Sequence, residues 1–286
     1  MKLSIIIVNW NTLDLTRQTL ESLFLTTKNL DFEVILVDND SSDNSVEMIK
    51  KNFPQVILKE NKENLGFGKA NNQGMKMAKG EYLFLLNSDT IVQENAIKIL
   101  VEYLDHNKDT MMVGPRLLNA DFTFQHACRR KLPTPLNSFY HLFGLVHVFK
   151  KNKIINSYKK YTDDPDVTET IEALSGAAMM FRREVFESIG GFDEKFFMYG
   201  EDLDFCKRVY DKGWKTVYVS DSKIVHLGGG SSKKRRTKSL INFYDSMWIY
   251  YNKHYKMSNN FFLNFMVFYA INLKKTFALI LNFFKK

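Results

Sequence analysis

Residues 3–11 read Leu-Ser-Ile-Ile-Ile-Val-Asn-Trp-Asn, an apolar run that ends at once in polar side chains. Residues 82–89, Tyr-Leu-Phe-Leu-Leu-Asn-Ser-Asp, follow the same pattern, and residues 32–37 and 55–58 are further apolar runs. Strands that are buried on both faces are almost continuously hydrophobic. Amphipathic stretches of helical length separate the four runs. This alternation predicts an α/β fold with a Rossmann-like, mainly parallel central sheet that is flanked by helices.

Length and composition are those of a globular enzyme. The chain has 286 residues, which allows one large domain or two small ones. With 45% hydrophobic and 25% charged residues, a mostly disordered chain is excluded. Two cysteines cannot form a disulfide framework, and the N-terminus lacks the pattern of a signal peptide. We therefore expect a cytoplasmic protein.

Positive charge is concentrated at the C-terminal end. The net charge of the chain is +8, but residues 231–286 alone carry +10, so residues 1–230 carry −2. Basic segments of this kind bind nucleic acid or an anionic membrane surface, and composition alone does not decide between the two. The charge distribution separates a catalytic domain at 1–230 from a basic, aromatic, helical tail at 231–286.

Polar side chains follow three of the predicted strands at the point where each strand ends. Ligands of open parallel sheets bind beyond the carboxyl ends of the strands. Asn, Asp and Ser also cap helices and turns, which is the simpler explanation for any one of these sites. Three such ends along one edge of a sheet favour a ligand site. The side chains are Asn9, Trp10, Asn11, Asp38, Asn39, Asp40, Asn87, Ser88 and Asp89.

A glycine-containing segment, Leu-Gly-Phe-Gly-Lys-Ala-Asn-Asn at 65–72, follows the third predicted strand. Gly66 and Gly68 let the backbone approach a ligand closely, and the N-terminus of a following helix favours anions. Position 71 is Asn, so the dinucleotide fingerprint is incomplete. A nicotinamide cofactor is therefore not expected.

The motifs, taken together, resemble those of family 2 glycosyltransferases. The resemblance covers residues 3 to about 230 and is closest to the branch that contains rhamnosyltransferases of bacterial cell-surface polysaccharides. Besides the segment at 65–72 and His226, the matching blocks are Ser-Ile-Ile-Ile-Val-Asn-Trp-Asn at 4–11, Val-Asp-Asn-Asp-Ser-Ser-Asp at 37–43, Leu-Asn-Ser-Asp at 86–89, Ser-Gly-Ala-Ala-Met-Met-Phe-Arg-Arg at 175–183, Gly-Gly-Phe-Asp-Glu at 190–194 and Glu-Asp-Leu-Asp-Phe-Cys at 201–206.

This resemblance implies a glycosyltransferase-A fold, a nucleotide-sugar donor, a divalent metal and inversion at the anomeric carbon. It divides the catalytic domain into a nucleotide-binding half at 1–118 and an acceptor and catalytic half at 119–230. Asp38 corresponds to the residue that reads a pyrimidine base, and Asn9 is expected to line the same pocket. The full set of residues expected to bind the nucleotide sugar is Asn9, Asp38, Asn39, Gly66, Gly68, Asn71, Asn87 and Ser88.

The resemblance also places the metal site. Asp89 corresponds to the last aspartate of the family's Asp-x-Asp motif, whereas the first position holds Asn87, an amide without charge. Asp89 and His226 are the expected ligands of Mn²⁺ or Mg²⁺, because these cations accept carboxylate oxygen and Mn²⁺ also accepts imidazole. The alternative for His226 is a structural histidine at the end of a strand.

Three carboxylates, Glu201, Asp202 and Asp204, stand at the start of a predicted helix. Acids in this position complement the helix dipole by about 0.3–1 kcal/mol each, which is the expected role of Asp204 and of Glu201. Asp202 aligns with the family's general base, which deprotonates the acceptor hydroxyl.

Cys206 is expected in the core, and His126, Arg129 and Arg130 on the surface. Residues 136–165 are expected to form an insertion or lid.

The leading hypothesis is an inverting, metal-dependent glycosyltransferase of cell-surface polysaccharide synthesis. The expected reaction transfers rhamnose or a hexose, from dTDP-rhamnose first and a UDP-hexose second, to a glycan acceptor, for which a lipid-linked glycan is one alternative. A sugar-phosphate nucleotidyltransferase needs a glycine-rich, basic signature after the first strand, where this chain has Asn-Thr-Leu-Asp at 11–14. A nucleic-acid-binding protein would use the basic run at 233–238, but residues 1–230 are net acidic, so no nucleic-acid partner is expected.

The tail is expected to hold the enzyme on an anionic membrane surface at the inner face of the cell membrane, without crossing it. Its longest charge-free run, 257–273, has 17 residues, fewer than the ~20 that a spanning helix needs. On a helical projection, one sector is polar. The alternative is a helix that packs on the catalytic domain or on a partner subunit. The polar sector contains Asn260, Asn264, Asn272, Lys275, Asn282 and Lys286.

Overall fold

A central β-sheet organises the chain. The computed structural model describes residues 1–149, 151–152, 154–160, 163–228 and 236–284. In the described residues the strand order is β3-β2-β1-β4-β10-β6-β11-β5; β8 pairs with β11, and β7 pairs with β9 apart from the main sheet. The strands are β1 Leu3–Asn9, β2 Phe32–Asp38, β3 Ile57–Glu60, β4 Tyr82–Asn87, β5 Thr90–Val92, β6 Thr110–Leu118, β7 Arg129–Arg130, β8 Glu169–Ile171, β9 Ala173–Leu174, β10 Ala178–Arg182 and β11 Lys215–His226.

Helices flank this sheet, as the amphipathic pattern predicts. Buried faces of α1, α3 and α4 pack against the apolar strands. The helices are α1 Leu13–Thr26, α2 Ser45–Asn52, α3 Phe67–Met77, α4 Ala96–His106, α5 Pro135–Leu142, α6 Leu145–Val148, α7 Arg183–Ile189, α8 Glu201–Asp211, α9 Arg236–His254 and α10 Phe261–Phe283, with a 3₁₀ turn at His126–Cys128.

Parallel pairing brings the polar strand ends to one edge. β1 lies between β2 and β4, parallel to both, and its register places Asn9 opposite Asp38 and Val8 opposite Asn87. Ile5, Ile6 and Ile7 are fully buried, so the continuous hydrophobicity of β1 reflects cover on both faces. β10 is antiparallel to β4 and β6, but the sheet as a whole is mostly parallel. The predicted α/β fold is therefore confirmed.

Some local predictions were wrong. The third strand begins two residues later than the predicted run at 55–58, and β5 was not predicted because three residues carry too little pattern. β11 is a single strand whose register against β6 shifts between Val219 and Lys223. The first part of the expected lid at 136–165 lies in two helices, α5 and α6. The Thr134 hydroxyl caps α5 by accepting from the backbone N–H of Asn137.

The tail forms two antiparallel helices, and α9 contacts the catalytic domain. His254 Nε2 lies 2.8 Å from Asp204 Oδ1, and Lys253 lies 2.6 Å from Asp193. α10 packs on α9 through polar pairs at both ends of the two helices, with Asn264 bound to the Tyr251 hydroxyl and Asn282 to the Thr237 hydroxyl. Three of the five basic residues in the run at 233–238, at positions 233–235, lie outside the described residues. The division of the chain at residue 230 stays a prediction.

Candidate active site

The ends of β1 and β2 are joined by a buried hydrogen-bond network. Asn9 Nδ2 donates to Asp38 Oδ2 over 2.7 Å, and Asn9 Oδ1 accepts from the hydroxyls of Thr12 and Thr16 at 2.7 Å each. Asn9 is fully buried, so it lies behind Asp38 and fixes the orientation of that carboxylate. The other oxygen of Asp38 accepts from the Ser41 backbone at 2.9 Å.

The glycine segment is fixed by Asn39 and by the segment at 192–197. Asn39 donates to the Gly66 carbonyl over 3.2 Å and accepts from the Leu65 backbone at 3.2 Å. Gly66 has φ +86°, and a Cβ on it would lie 2.5 Å from the Phe197 carbonyl oxygen. A Cβ on Gly68 would lie 3.3 Å from Phe192. Gly66 therefore requires glycine because of its positive φ and the Phe197 carbonyl, whereas a Cβ on Gly68 would only crowd the Phe192 side chain.

Asn71 is buried within α3, and its side-chain amide donates to the Phe67 carbonyl over 3.0 Å. Phe67 is the first residue of α3 and lines a cleft described below. Asn71 therefore supports the first turn of the helix from inside the protein.

Asn87, Asp89 and His226 converge at the turn between β4 and β5. His226 Nε2 lies 3.3 Å from Asp89 Oδ1 and 3.3 Å from Asn87 Nδ2. His226 Nδ1 lies 2.9 Å from Gln125 Oε1, and the tautomer with the proton on Nδ1 donates to this oxygen and keeps a lone pair on Nε2. β5 pairs with β11 so that Thr90 lies opposite His226, and this pairing places Asp89 beside the imidazole.

This group of donors fits a divalent cation that also binds substrate oxygens. Asp89 offers carboxylate oxygen and His226 an imidazole nitrogen that Gln125 orients, as second-sphere partners of metal-bound histidines do. Asn87 Oδ1 is buried and has no hydrogen-bond partner within the described structure. No group of three or more His, Cys, Asp or Glu placed to hold a metal occurs in the described ranges.

Ser88 lies beside the Asn9 network. Its hydroxyl is 3.1 Å from the Thr12 hydroxyl, and its residue is 8% exposed. The turn at residues 87–89 and the end of β1 are thus connected through two hydroxyl groups, so that the residues expected to bind the nucleotide sugar and those expected to bind the metal lie next to each other.

Asp202, the predicted base, is the second residue of α8 and forms a salt bridge with Arg130. Its Oδ2 lies 2.6 Å from Arg130 Nη2 and accepts from the Gly176 backbone at 3.0 Å. The same guanidinium nitrogen also donates to the Leu174 carbonyl over 2.7 Å. The prediction that Arg130 is an ordinary surface residue was wrong, because the fold buries it against a carboxylate 72 positions further along the chain.

The neighbouring acids of α8 differ from Asp202. Burial, together with the negative charge of Asp202, raises the pKa of Glu201 to about 8, and Glu201 Oε2 has no partner in the described structure. For Asp204, burial opposes ionisation, but hydrogen bonds from His254 and Lys253 outweigh it and lower the pKa to about 2. Asp204 is therefore an anchor for α9, which corrects the expectation that it only complements the helix dipole.

Gly176 and Ala177 connect Asp202, the predicted base, to the turn at residues 87–89, which carries the predicted metal ligand Asp89. The Gly176 backbone binds Asp202 at 3.0 Å, and the Ala177 carbonyl accepts from the Asn87 backbone at 2.9 Å. A Cβ on Gly176 would lie 3.2 Å from Asp202 Cβ, so a larger residue would displace the base. The structure therefore brings the predicted base and the predicted metal ligands to one site.

A cleft lies next to this site, at the ends of β1 and β2. Tail helix α9 contributes to its wall, which sequence analysis did not predict. The lining residues are Val8, Trp10, Asn39, Asn64, Gly66, Phe67, Phe197, Met198, Lys238, Ser239 and Asn242.

Other residues were misplaced by sequence reasoning. Arg129 was expected on the surface, but it is fully buried and binds Glu169 at 2.6 Å and the Asp163 carbonyl at 2.7 Å. Cys206 is buried in the core, as predicted. Gln125, which orients His226, was missed, and its position five residues before Arg130 in a polar run was the available signal.

The fold and the site define an α/β protein in which the carboxylate of Asp202 and the turn at residues 87–89 lie at the carboxyl edge of the sheet. Residues 4–190 match the family described as Glycosyl transferase family 2. Residues 156–228 also match the domain described as N-terminal domain of galactosyltransferase. The chain belongs to glycosyl transferase family 2.

Two curated relatives are glycosyltransferases by name. N-acetylglucosaminyl-diphospho-decaprenol L-rhamnosyltransferase of Mycobacterium tuberculosis (strain CDC 1551 / Oshkosh) is 27% identical over 76% of this chain and 73% of its own length. Poly(ribitol-phosphate) beta-N-acetylglucosaminyltransferase TarP of Staphylococcus aureus (strain N315) is 29% identical over 56% of this chain and 52% of its own length.

Solved structures share the fold. The structure of S. aureus TarS 1-349 in complex with UDP-GlcNAc has a TM-score of 0.59 at 19% identity and covers 87% of this chain and 65% of its own length. TarS 1-349 on its own has a TM-score of 0.56 at 18% identity over 97% of this chain and 72% of its own length. The glycosyltransferase-A fold expected from the sequence is therefore confirmed.

Proposed function

We propose that this protein is an inverting, metal-dependent glycosyltransferase that transfers rhamnose or a hexose from a pyrimidine nucleoside diphosphate to a lipid-linked glycan acceptor. The observation that carries the proposal is the link through residues 176–177. It holds the carboxylate of Asp202 next to the turn that bears Asp89, which lies beside His226 at the end of β11. Sugar transfer from a nucleotide needs both functions side by side, a base for the acceptor and positive charge for the leaving diphosphate.

Asp202 acts on the acceptor hydroxyl. Arg130 and the Gly176 backbone both bind Oδ2, so they hold the carboxylate in one rotamer. From this position Asp202 removes the hydroxyl proton while the oxygen attacks the anomeric carbon on the face opposite the diphosphate, which inverts the configuration. Mn²⁺ or Mg²⁺, held by Asp89 and His226, would supply Lewis-acid stabilisation of the leaving diphosphate.

Donor recognition rests on the strand ends. Asp38 is fixed by Asn9 and by the Ser41 backbone, which suits a carboxylate that accepts from a pyrimidine N–H. The L-rhamnosyltransferase relative supports dTDP-rhamnose as the first donor, and the UDP-GlcNAc complex of the TarS neighbour supports a UDP-hexose as the second. The same relative is named for N-acetylglucosaminyl-diphospho-decaprenol, and this name supports a lipid-linked acceptor.

Tail helix α10 supports membrane attachment, because its faces are inverted relative to those of a helix in water. Its polar side chains bind α9, with Lys275 at 2.6 Å from Asp245, while Phe262, Leu273 and Phe277 are 71%, 67% and 56% exposed. A helix that turns its apolar residues outward fits a lipid interface. Exposed Phe143, the residue that follows α5, has its ring centroid 5.0 Å from Lys274 Nζ and extends this apolar surface.

By length and composition, Phe261–Phe283 is able to cross a membrane, because the helix continues through Lys274 and Lys275. The expectation that it is too short was therefore wrong. We propose instead that it lies on the anionic inner surface, as a peripheral element. α10 pairs with α9 near both ends, and α9 is bound to Asp204 of the catalytic domain.

Nucleotide-sugar binding is tested by thermal shift of the full chain with UDP-, dTDP-, GDP- and CMP-sugars and Mn²⁺. A ligand at 100 times its Kd raises the free energy of unfolding by about 2.7 kcal/mol. We expect dTDP-rhamnose or a UDP-hexose to raise Tm, Asp38→Asn to lose the shift, and the exposed α2 control Glu47→Gln to keep it. Absence of a shift with every pyrimidine diphospho-sugar, together with absence of sugar transfer, would refute the proposal.

Membrane attachment is tested by flotation of the full chain with anionic liposomes. We expect the wild type to float at low salt and Phe262→Asp/Phe277→Asp to stay at the bottom of the gradient. The control, Leu25→Asp, changes a residue of α1 that is 68% exposed, and should float like the wild type. Equal flotation of the double variant and the wild type would contradict the role of α10.

A further inference from the structure

Tail helix α9 forms one wall of the cleft at the nucleotide end of the site. Lys238 Nζ lies 5.0 Å from the centroid of the Phe197 ring. The Phe197 carbonyl in turn accepts from the Phe67 backbone at 2.9 Å, at the first residue of α3. Lys238, Ser239 and Asn242 therefore face the glycine segment across this cleft, although more than 160 positions separate them from it.

α9 is held in this position by contacts along its length. At its C-terminal end, Lys253 lies 2.7 Å from Asp204 and His254 lies 2.8 Å from the same oxygen. In its middle, Phe243 packs edge to face on Tyr199, with 6.0 Å between ring centroids. Tyr199 and Gly200 lead directly into α8, the helix that carries Asp202. The position of Lys238 is thus tied to the catalytic domain itself.

The positive charge of Lys238 on the α9 wall of the cleft is suited to a phosphate ligand. A nucleoside diphosphate brings at least two negative charges, and the lining residues of the cleft in the described part of the chain include one cation, Lys238. The turn at 87–89 contains no Lys or Arg. Lys238 is exposed at the cleft and has no salt bridge among the described residues. Its ammonium group is available to an anionic ligand.

We propose that α9 is part of the donor site, and that Lys238 binds the phosphates of the nucleoside diphosphate while Asn242 offers a polar contact beside it. This inference rests on the proposed function and adds a residue of the C-terminal tail to it. It also connects the two roles of the tail, because α10, the proposed membrane element, packs on the helix that carries Lys238.

The test is titration of the full chain with UDP and dTDP, followed by competition with the matching nucleosides, uridine and thymidine. Lys238→Met keeps the length of the side chain and removes its charge. We expect it to weaken binding of the nucleoside diphosphate by about tenfold, the order of one charge-assisted hydrogen bond, without changing nucleoside affinity. Lys238→Arg should restore most of the affinity.

The control is Lys256→Met, an exposed lysine beyond the C-terminal end of α9 and outside the cleft, which should bind like the wild type. Unchanged diphosphate affinity in Lys238→Met would overturn the inference, and an equal loss for nucleoside and diphosphate would overturn the assignment to phosphate. If the wild type binds neither UDP nor dTDP, the proposed function itself fails. The unliganded Tm of each variant verifies its fold.

Discussion

The salt bridge between Arg130 and Asp202 predicts strong thermodynamic coupling between two residues of the acceptor side. The perturbation is a double-mutant cycle of Arg130→Met, Asp202→Asn and the combined variant. The two side chains are 11% and 14% exposed, so the salt bridge is largely shielded from water. Removal of one partner then lowers the free energy of unfolding, because the other charge is left uncompensated.

The magnitudes follow from the partners that remain. In R130M, Asp202 keeps the Gly176 and Leu203 backbone donors at 3.0 and 2.8 Å. We therefore expect the free energy of unfolding to fall by about 3 kcal/mol, the lower end of the range for a broken buried pair. In D202N, Arg130 keeps the Leu174 carbonyl at 2.7 Å, and we expect a loss of about 2 kcal/mol. The double variant buries neither charge, which predicts a coupling energy of about 2 kcal/mol.

The assay is urea unfolding of the full chain at pH 7, monitored by tryptophan fluorescence and circular dichroism. Equal m-values across the four proteins would license the comparison of free energies. If the two single losses add up in the double variant to within about 0.5 kcal/mol, the residues are energetically independent. That result would refute the conclusion that Arg130 positions the base through its charge.

Three other predictions concern the same site. Asp202→Asn should retain donor binding and lose transfer by about 10²–10⁴-fold, the usual contribution of a general base, measured by steady-state kinetics; near-normal turnover would move the role to Glu201. Transfer should stop in EDTA and return with Mn²⁺ or Mg²⁺ in the wild type but not in Asp89→Ala, and full activity in chelator would rule out the metal site. For Glu201, the folded pKa of about 8 lies above the ordinary 4.5. Its stabilising contribution is therefore complete below pH 4.5 and is lost as pH rises towards 8, so the free energy of unfolding of the wild type should fall by up to about 1.4 kcal/mol per pH unit relative to Glu201→Gln. Parallel pH profiles of the two proteins in urea unfolding would contradict it.

Local pattern was enough to predict the sheet and its functional edge. Apolar runs such as 3–8 and 82–86 require cover on both faces, and polar residues directly after them fall at the carboxyl ends of parallel strands. Asn9, Asp38 and Asn87 are brought together for this reason, since strand pairing puts equivalent ends side by side. These inferences need only periodicity of two or 3.6 residues and the rule that parallel strands align.

Long-range pairing was beyond the reach of pattern. Gln125 and His226 are 101 positions apart, and Arg130 and Asp202 are 72 apart. A lone arginine in a polar run is typical of a surface, because only the folded chain supplies the carboxylate that makes its burial favourable. The glycines show the same limitation, since the sequence indicates a close approach at Gly66 but not that Phe197 is the group that approaches.

The tail shows most clearly which properties the sequence determines and which the tertiary structure determines. Its composition alone specified helices with basic, aromatic and polar residues, and the helical projection specified which residues of α10 share a polar sector. Only the tertiary structure decided that Asn264, Lys275 and Asn282 of this sector contact α9, that most apolar residues of α10 face outward, and that α9 carries Lys238 to the cleft at the ends of β1 and β2. The physical reason is that amphipathicity defines two faces of a helix, whereas the partner of each face depends on surfaces that form only when distant segments pack.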